Sequence, residues 1–300
     1  MLQNKLIGMG VALVTPFKTD GSVDFEALGK LVDFQIENGT NYLVVCGTTS
    51  EVPTLSQKER EDITHFVVER VAGKIPIVLG IGGYNTARIV QRVSTAHSLG
   101  VDAILSVVPY YSKPSQEGIY QHYKAIANAT EMPIILYNVP SRTGANMSAQ
   151  TTLRLANDFK NIAAVKEASG NFEQIIEIIK NKPQDFIVIS GDDGTAFPLI
   201  KEGAVGVISV IANAFPKEFG QMVKLALNGD FNKAQEINNR FTEIIKLIFV
   251  DGSPSGIKSV LSELGMIEDV LRLPLVPASA ETKEKIRNLV SSNEYQVSRN

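Results

Sequence analysis

The chain has 300 residues, of which 44% are hydrophobic and 20% are charged, and its formal net charge is −3. These proportions are typical of a globular protein with a substantial apolar core, and they exclude an intrinsically disordered chain. Lysine and arginine are dispersed among acidic residues without a basic stripe, so we expect no nucleic-acid partner.

The targeting signals of membrane and secreted proteins are missing from the sequence. No apolar stretch reaches the roughly 18 residues that a membrane span needs, and the opening MLQNKLIGMG lacks the basic and apolar regions of a signal peptide. We therefore expect no membrane partner. Cys46 is the only cysteine, so no intrachain disulfide can form and we expect a cytoplasmic protein.

Short apolar runs recur along the chain, and each is followed by an amphipathic segment. The runs are Gly8–Phe17, Tyr42–Gly47, Ile75–Gly82, Val101–Pro109, Met132–Pro140, Ile162–Ala168, Phe186–Asp192 and Ala204–Ala212. Continuous apolar runs, rather than strict alternation, indicate strands that are covered on both faces. Eight βα units predict an α/β fold, the (β/α)8 TIM barrel.

Helix signals occupy the segments between these runs. Ser56 and Glu59 have the spacing of a capping box, and Asp24 and Ser115 each precede an apolar periodic segment. After the eighth run the pattern is helical only, over Pro216–Asn228, Phe231–Val250, Ser255–Leu264 and Ala280–Ser291. No Pro/Gly/Ser-rich linker separates these helices from the barrel. We predict a catalytic barrel over 1–229 and a C-terminal helical region over 230–300 packed on it, with a frayed polar tail after Ser291.

Lys166 lies near the end of an otherwise apolar strand, Ile162–Ala168. Strand alternation places Lys166 on one face and Glu167 on the other, so the neighbouring carboxylate cannot easily neutralise the amine. Burial favours the uncharged amine, which can attack a carbonyl to form a Schiff base. On this segment alone, a structural lysine paired with a distant carboxylate fits equally well.

Polar residues cluster where the predicted strands end. They are Thr48, Thr49, Tyr110, Tyr111, Tyr137, Arg142, Lys166, Gly191, Asp192 and Asp193. In a TIM barrel the carboxyl ends of the strands share one rim, and the active site lies there. Because the strand interiors hold almost nothing polar, this convergence favours a functional Lys166.

Competing motifs are weak. The glycines of Gly80–Gly83 follow a strand but lack the spacing of a dinucleotide-binding loop. His65, His97 and His122 lie in predicted helices without metal-ligand spacing. Adjacent acids such as Asp192 and Asp193 are more often a turn or a helix cap than a cation site, so we expect no metal.

Five segments together resemble the dihydrodipicolinate synthase family in order and spacing. They are Gly47–Glu51 (GTTSE), Pro109–Pro114 (PYYSKP), Tyr137–Gly144 (YNVPSRTG), Val165–Gly170 (VKEASG) and Ser190–Asp193 (SGDD). The resemblance extends from Gly8 to about Pro277. It implies a cofactor-free, class I aldolase-type condensation of pyruvate with L-aspartate 4-semialdehyde, the entry step to diaminopimelate and lysine.

The resemblance also implies roles for individual residues. Lys166 forms the imine with pyruvate, and Tyr137 moves protons beside it through a relay that includes Thr49 and Tyr111. Tyr111 comes from the neighbouring subunit in this family, so a dimer is required and a homotetramer is expected.

The substrate-binding positions are implied by the same resemblance. Thr48, with Thr49 and nearby amides, binds the carboxylate of pyruvate, because short hydroxyls and N–H groups approach an anion closely. Arg142 binds the carboxylate of the semialdehyde. Gly191 and Ile208 shape the pyruvate pocket.

Two positions depart from the family pattern. Ser50 replaces a glycine, which restricts the turn or adds a hydroxyl near the pocket. Arg88 stands where lysine-inhibited members have a glutamate, in a cleft that the resemblance places near Val52, Pro53, Gln57, Arg60, Tyr84 and Tyr110. An arginine there would repel the amine of lysine.

Two other kinds of function fit a barrel with a lysine at a strand end. N-acetylneuraminate lyase and the 2-keto-3-deoxy sugar acid aldolases share the barrel, the lysine and the tyrosine, but their sugar aldehydes offer no carboxylate to Arg142. A ligand-sensing barrel without turnover would be expected to lose Lys166, Tyr137 or Thr49, and all three are present.

Overall fold

The computed structural model describes residues 2–291, so the tail after Ser291, predicted to fray, lies outside the described residues. Within this range, parallel strands close into a barrel in chain order, and the last strand pairs with the first. The strands are β1 Gly8–Ala12, β2 Tyr42–Val45, β3 Ile77–Gly80, β4 Ala103–Val107, β5 Ile134–Asn138, β6 Ile162–Glu167, β7 Ile187–Ser190 and β8 Gly206–Ser209. The predicted (β/α)8 barrel is confirmed.

Helices surround the barrel and continue beyond it. They are α1 Phe25–Glu37, α2 Gln57–Val71, α3 Thr86–Thr95, α4 Gln116–Ala127, α5 Pro140–Thr143, α6 Ala149–Asp158, α7 Phe172–Asn181, α8 Asp193–Lys201, α9 Pro216–Leu227, α10 Phe231–Leu247, α11 Ser255–Glu263 and α12 Ala280–Val290. Among the described residues, none of these helices has the length and apolarity needed to span a bilayer.

The predicted helix caps are present. The Asp24 carboxylate accepts the N–H of Ala27 at 3.0 Å, which caps α1. Ser56 and Glu59 form both hydrogen bonds of the capping box at the start of α2. These caps satisfy backbone N–H groups that the first helical turn leaves without partners.

The strands are shorter than the apolar runs that predicted them. The first run extends to Phe17, whereas β1 ends at Ala12, and the intervening residues form a buried loop. Loops at the carboxyl end of the barrel are themselves buried, so their apolar residues extend the pattern beyond each strand. Strand ends could therefore not be located from hydrophobicity alone.

The barrel interior is filled by side chains from alternate strand positions, including Val44, Val78, Ile135 and Ile189. Tyr42 is fully buried among them, and its ring lies directly over Gly10. A Cβ at residue 10 would lie 2.1 Å from that ring, so only glycine fits there. The interior is thus a packed core, and open space is left at one end.

The C-terminal helices pack on the barrel. α10 contacts α8 and α9, α11 contacts the 3-10 helix Ile211–Asn213, and α12 packs on α10 and α11. The division into 1–229 and 230–300 remains a prediction.

Candidate active site

A cavity of about 170 Å³ opens at the carboxyl ends of the strands. It brings together most of the residues that the sequence singled out at the strand ends, namely Thr48, Thr49, Tyr137, Arg142, Lys166, Gly191 and Asp192. Tyr110, Tyr111 and Asp193, which were expected on the same rim, are not in the cavity wall.

Lys166 lies at the end of β6, and 5% of the residue is exposed. Its strand pairs with β5 so that Tyr137 is its direct neighbour, and the Lys166 Nζ lies 4.3 Å from the centre of the Tyr137 ring. Within residues 2–291, no carboxylate forms an ion pair with this amine. The alternative of a structural lysine paired with a distant acid has no support in the geometry.

Glu167 points away from Lys166, as strand alternation predicts. Its carboxylate accepts hydrogen bonds from Asn138 Nδ2 at 2.6 Å, Ser169 Oγ at 2.5 Å and Gln174 Nε2 at 3.2 Å. Burial raises the pKa of this carboxyl, and these hydrogen bonds oppose the shift. Glu167 thus belongs to a polar network outside the barrel and leaves the amine of Lys166 unpaired.

Thr48 and Thr49 lie in the turn that follows β2. The turn is closed by a hydrogen bond from the Glu51 N–H to the Thr48 carbonyl at 3.1 Å. In the described part of the chain, neither threonine hydroxyl has a hydrogen-bond partner, so both are available to an anionic ligand. The hydroxyls of Thr49 and Tyr137 line the same cavity without a hydrogen bond between them.

Ser50, which departs from the family pattern, does not line the cavity. Its hydroxyl donates to the Leu13 carbonyl at 2.6 Å, and the Thr15 hydroxyl donates to the Ser50 carbonyl at 2.9 Å. The side chain therefore ties the turn to the loop after β1, and the hydroxyl expected near the pocket points elsewhere.

Arg142 lies on the single turn of α5, at the mouth of the cavity. Its guanidinium donates to the Ser253 carbonyl at 3.5 Å, a weak contact that leaves donors free. A planar, exposed guanidinium at the mouth can bind a carboxylate bidentately.

Gly191 leaves the space that the side chain of Lys166 fills. A Cβ at this position would lie 2.8 Å from the Ala168 Cβ, 3.0 Å from the Lys166 Cε and 3.1 Å from the Glu167 carbonyl oxygen. Ile208, the other position expected to shape the pocket, is fully buried among barrel-interior side chains and is not in the cavity wall. Val210, two residues later, lines the cavity instead.

Comparison with known proteins agrees with this geometry. The model of the dihydrodipicolinate synthetase family matches residues 5–293. The chain belongs to this family. A 4-hydroxy-tetrahydrodipicolinate synthase of Parabacteroides distasonis is 63% identical over 97% of this chain and 98% of its own, and one of Phocaeicola vulgatus is 60% identical over 99% of both.

A solved structure gives the same result. The chloride-inhibited dihydrodipicolinate synthase of Acinetobacter baumannii, complexed with pyruvate, superposes with a TM-score of 0.93 at 41% identity. The match covers 95% of this chain and 98% of that one. The resemblance found in the sequence motifs is therefore confirmed over nearly the whole chain.

Tyr111, which the family resemblance assigns to a neighbouring subunit, is not part of its own chain's cavity. The residue is 91% exposed and has a left-handed backbone, with φ of 69°. Close to it in sequence, Tyr110 packs edge-on against Tyr84, with ring centres 5.4 Å apart. A large exposed aromatic side chain held on an ordered loop is typical of a contact surface.

The C-terminal region contributes two residues of the cavity wall, Phe249 and Ser253, which the sequence did not reveal. They follow α10, far along the chain from the barrel motifs, and neither residue type carries a chemical signal. Only the packing of α10 and α11 on the barrel brings them to the mouth.

Asp192 and Asp193 have structural partners. Asp192 caps α8 by accepting the Thr195 N–H at 3.0 Å. Asp193 is buried and accepts the N–H groups of Val210 and Ile211 at 3.0 and 2.9 Å, and burial raises its pKa to about 6. In residues 2–291, no three His, Cys, Asp or Glu side chains group closely enough to hold a metal ion.

Proposed function

We propose that this chain is a 4-hydroxy-tetrahydrodipicolinate synthase, which condenses pyruvate with L-aspartate 4-semialdehyde through a Schiff base on Lys166. The observation that carries the proposal is the amine of Lys166, buried, without an ion pair, and 4.3 Å from the centre of the Tyr137 ring in a cavity with free hydroxyls. The names of the two close relatives and the pyruvate bound to the Acinetobacter enzyme support the choice of substrates.

The first half of the reaction uses the cavity floor. The carboxylate of pyruvate accepts hydrogen bonds from the hydroxyls of Thr48 and Thr49, which fixes its ketone near the Lys166 Nζ. The amine adds to the ketone carbon, and loss of water gives the imine. The Tyr137 hydroxyl, on the neighbouring strand, gives and takes the protons that this addition and elimination require.

The second half of the reaction uses the cavity mouth. The protonated imine withdraws electrons, so the methyl group of pyruvate loses a proton and becomes an enamine carbon nucleophile. This carbon attacks the aldehyde of the semialdehyde, whose carboxylate is held by Arg142. The amino group of the semialdehyde then displaces Lys166 from the imine carbon, which closes the ring. The protonated imine on Lys166 is the electron sink, so the proposed reaction needs no cofactor.

The exposure of Tyr111 supports a homodimer in which this residue enters the partner's cavity, and we extend the proposal to a tetramer of two such dimers. A cytoplasmic location is part of the same proposal, and the buried, unpaired thiol of Cys46 fits a reducing compartment. If Tyr111 acts across the interface, Tyr111→Phe and Lys166→Ala subunits, each nearly inactive, regain activity when mixed and reassembled. Confirmed hybrids without activity would restrict Tyr111 to its own chain.

The substrate pair is tested by supplying competing reactions to purified enzyme. Condensation of pyruvate with the semialdehyde is followed with a coupled reductase, and cleavage of N-acetylneuraminate is followed by pyruvate release. Condensation is expected to be faster by orders of magnitude, because Arg142 has a carboxylate to bind only in the semialdehyde. Faster cleavage of the sugar acid would identify a sister aldolase instead.

A further inference from the structure

A buried ion pair joins the Thr48–Glu51 turn to the C-terminal helices. The Lys258 Nζ, on α11, donates to a carboxylate oxygen of Glu51, and both side chains are 0% exposed. The same amine donates to the Val270 carbonyl at 2.9 Å. Burial lowers the pKa of the Lys258 ammonium, and the Glu51 carboxylate opposes that shift.

Arg272 completes the cluster. The backbone N–H of Arg272 donates to the second carboxylate oxygen of Glu51 at 3.1 Å, so both oxygens have partners. Its guanidinium donates to the Thr54 carbonyl at 3.2 Å and to the Glu59 carboxylate at 2.5 and 3.1 Å, which lowers the pKa of Glu59 to about 2. The two cations lie 4.2 and 4.4 Å from the centre of the Phe17 ring.

The position of Glu51 connects this cluster to the cavity. Glu51 lies two residues after Thr49, and its φ of 56° is a left-handed conformation that residues with a Cβ seldom adopt. Its N–H closes the turn on the Thr48 carbonyl. A residue held in this conformation by contacts on both carboxylate oxygens fixes the direction in which the preceding threonines point.

A gain in folding stability does not by itself explain why the Lys258–Glu51 ion pair is buried. Two charges lose their hydration when they are buried, and apolar side chains of similar volume often stabilise a core at least as well. Lys258 and Glu51 are far apart in the chain, and the contact joins a segment of the cavity wall to a helix outside the barrel. The geometry therefore favours a role in placing the turn.

We propose that Lys258 is a positioning residue for the pyruvate site, acting through Glu51 to hold the hydroxyls of Thr48 and Thr49 in place. This inference rests on the proposed function. The C-terminal region then supports the site through this anchor, in addition to lining the cavity with Phe249 and Ser253.

The test compares two variants with a destabilised control. Lys258→Met removes the ammonium but keeps the length of the side chain, and it leaves the Glu51 carboxylate buried without its cation. Glu51→Gln combined with Lys258→Met removes both charges, so stability returns toward that of the wild type while the anchor is still missing. Leu155→Ala, in a buried position on α6 and outside the cavity wall, is the matched control for lost stability.

The readouts separate positioning from folding. KM for pyruvate is expected to rise at least fivefold in the double variant, while KM for the semialdehyde changes less than twofold. Borohydride with saturating pyruvate should still modify Lys166 in this variant. Leu155→Ala should lower the thermal midpoint without changing either KM.

The proposal fails if the double variant binds pyruvate like the wild type, or if Leu155→Ala raises the KM for pyruvate equally. Loss of folding in both Lys258 variants would also overturn it, because the pair would then be a requirement of the fold. If the wild type itself forms no pyruvate adduct at Lys166, the proposed function fails, which is a different result from any of these.

Discussion

The Gly191→Ala variant is expected to slow the reaction of Lys166 as well as to destabilise the fold. The new methyl group would lie 2.8 Å from the Ala168 Cβ and 3.0 Å from the Lys166 Cε, closer than carbon atoms approach each other. The Lys166 side chain is flexible and can yield, but the Glu167 carbonyl at 3.1 Å belongs to the strand backbone. Relieving the overlap therefore displaces the end of β6 together with the amine.

Overpacking of this kind costs about 1–3 kcal/mol of folding free energy, which a urea titration measures. A displacement of roughly 1 Å at a reacting group can slow a reaction by about 100-fold. We expect a loss of that order in the rate of borohydride trapping of pyruvate. Gly194→Ala is the control, because its methyl group would lie 3.3 Å from the Asp192 carboxylate and would meet neither Lys166 nor the backbone of β6. Trapping at the wild-type rate in Gly191→Ala would show that the new methyl group leaves the amine of Lys166 in place.

Three other predictions concern separate parts of the molecule. Arg142→Ala should lower kcat/KM for the semialdehyde by an amount that corresponds to about 2–4 kcal/mol, while borohydride with pyruvate still modifies Lys166. Equal losses for both substrates would contradict the assignment of Arg142. Millimolar L-lysine should leave the enzyme largely uninhibited, because the positive charge of Arg88 would repel the amine of the ligand at a position where a carboxylate is needed. Inhibition or calorimetric binding at submillimolar lysine would contradict this prediction. Because burial raises the pKa of Asp193 to about 6, its ionisation costs stability, and that cost develops as the pH rises from about 4 to 7. Asp193→Asn should therefore gain on the order of 2–3 kcal/mol relative to the wild type over this range in urea titrations, and a pH-independent difference would contradict the cause.

The barrel and most of the candidate site could be predicted because the signals were local. Strands that are covered on both faces appear in the sequence as continuous apolar runs. A polar residue such as Lys166 or Tyr137 at the end of such a run is therefore easy to identify. The rule that strand ends share one rim then brought residues from different strands together before any contact was known.

Other features depended on packing between distant segments. Phe249 and Ser253 reach the cavity only because the C-terminal helices pack on the barrel, and the Glu51–Lys258 pair joins residues whose charges look ordinary in the sequence. Ile208 was expected at the pocket but is fully buried in the barrel interior, and Val210, two residues further along the chain, lies in the cavity wall instead. Whether Tyr111 enters a partner's cavity depends on a second subunit and stays a prediction.

The role of Lys166 is tested by mass mapping of the enzyme after reduction with borohydride in the presence of pyruvate. An amine that attacks the ketone of pyruvate forms a reducible imine, so we expect one pyruvate-derived mass on Lys166 and loss of activity. Lys166→Arg should give no adduct, because a guanidinium keeps its proton and cannot attack the ketone. An adduct on a different lysine, or trapping that persists in Lys166→Arg, would show that Lys166 is not the residue that forms the imine.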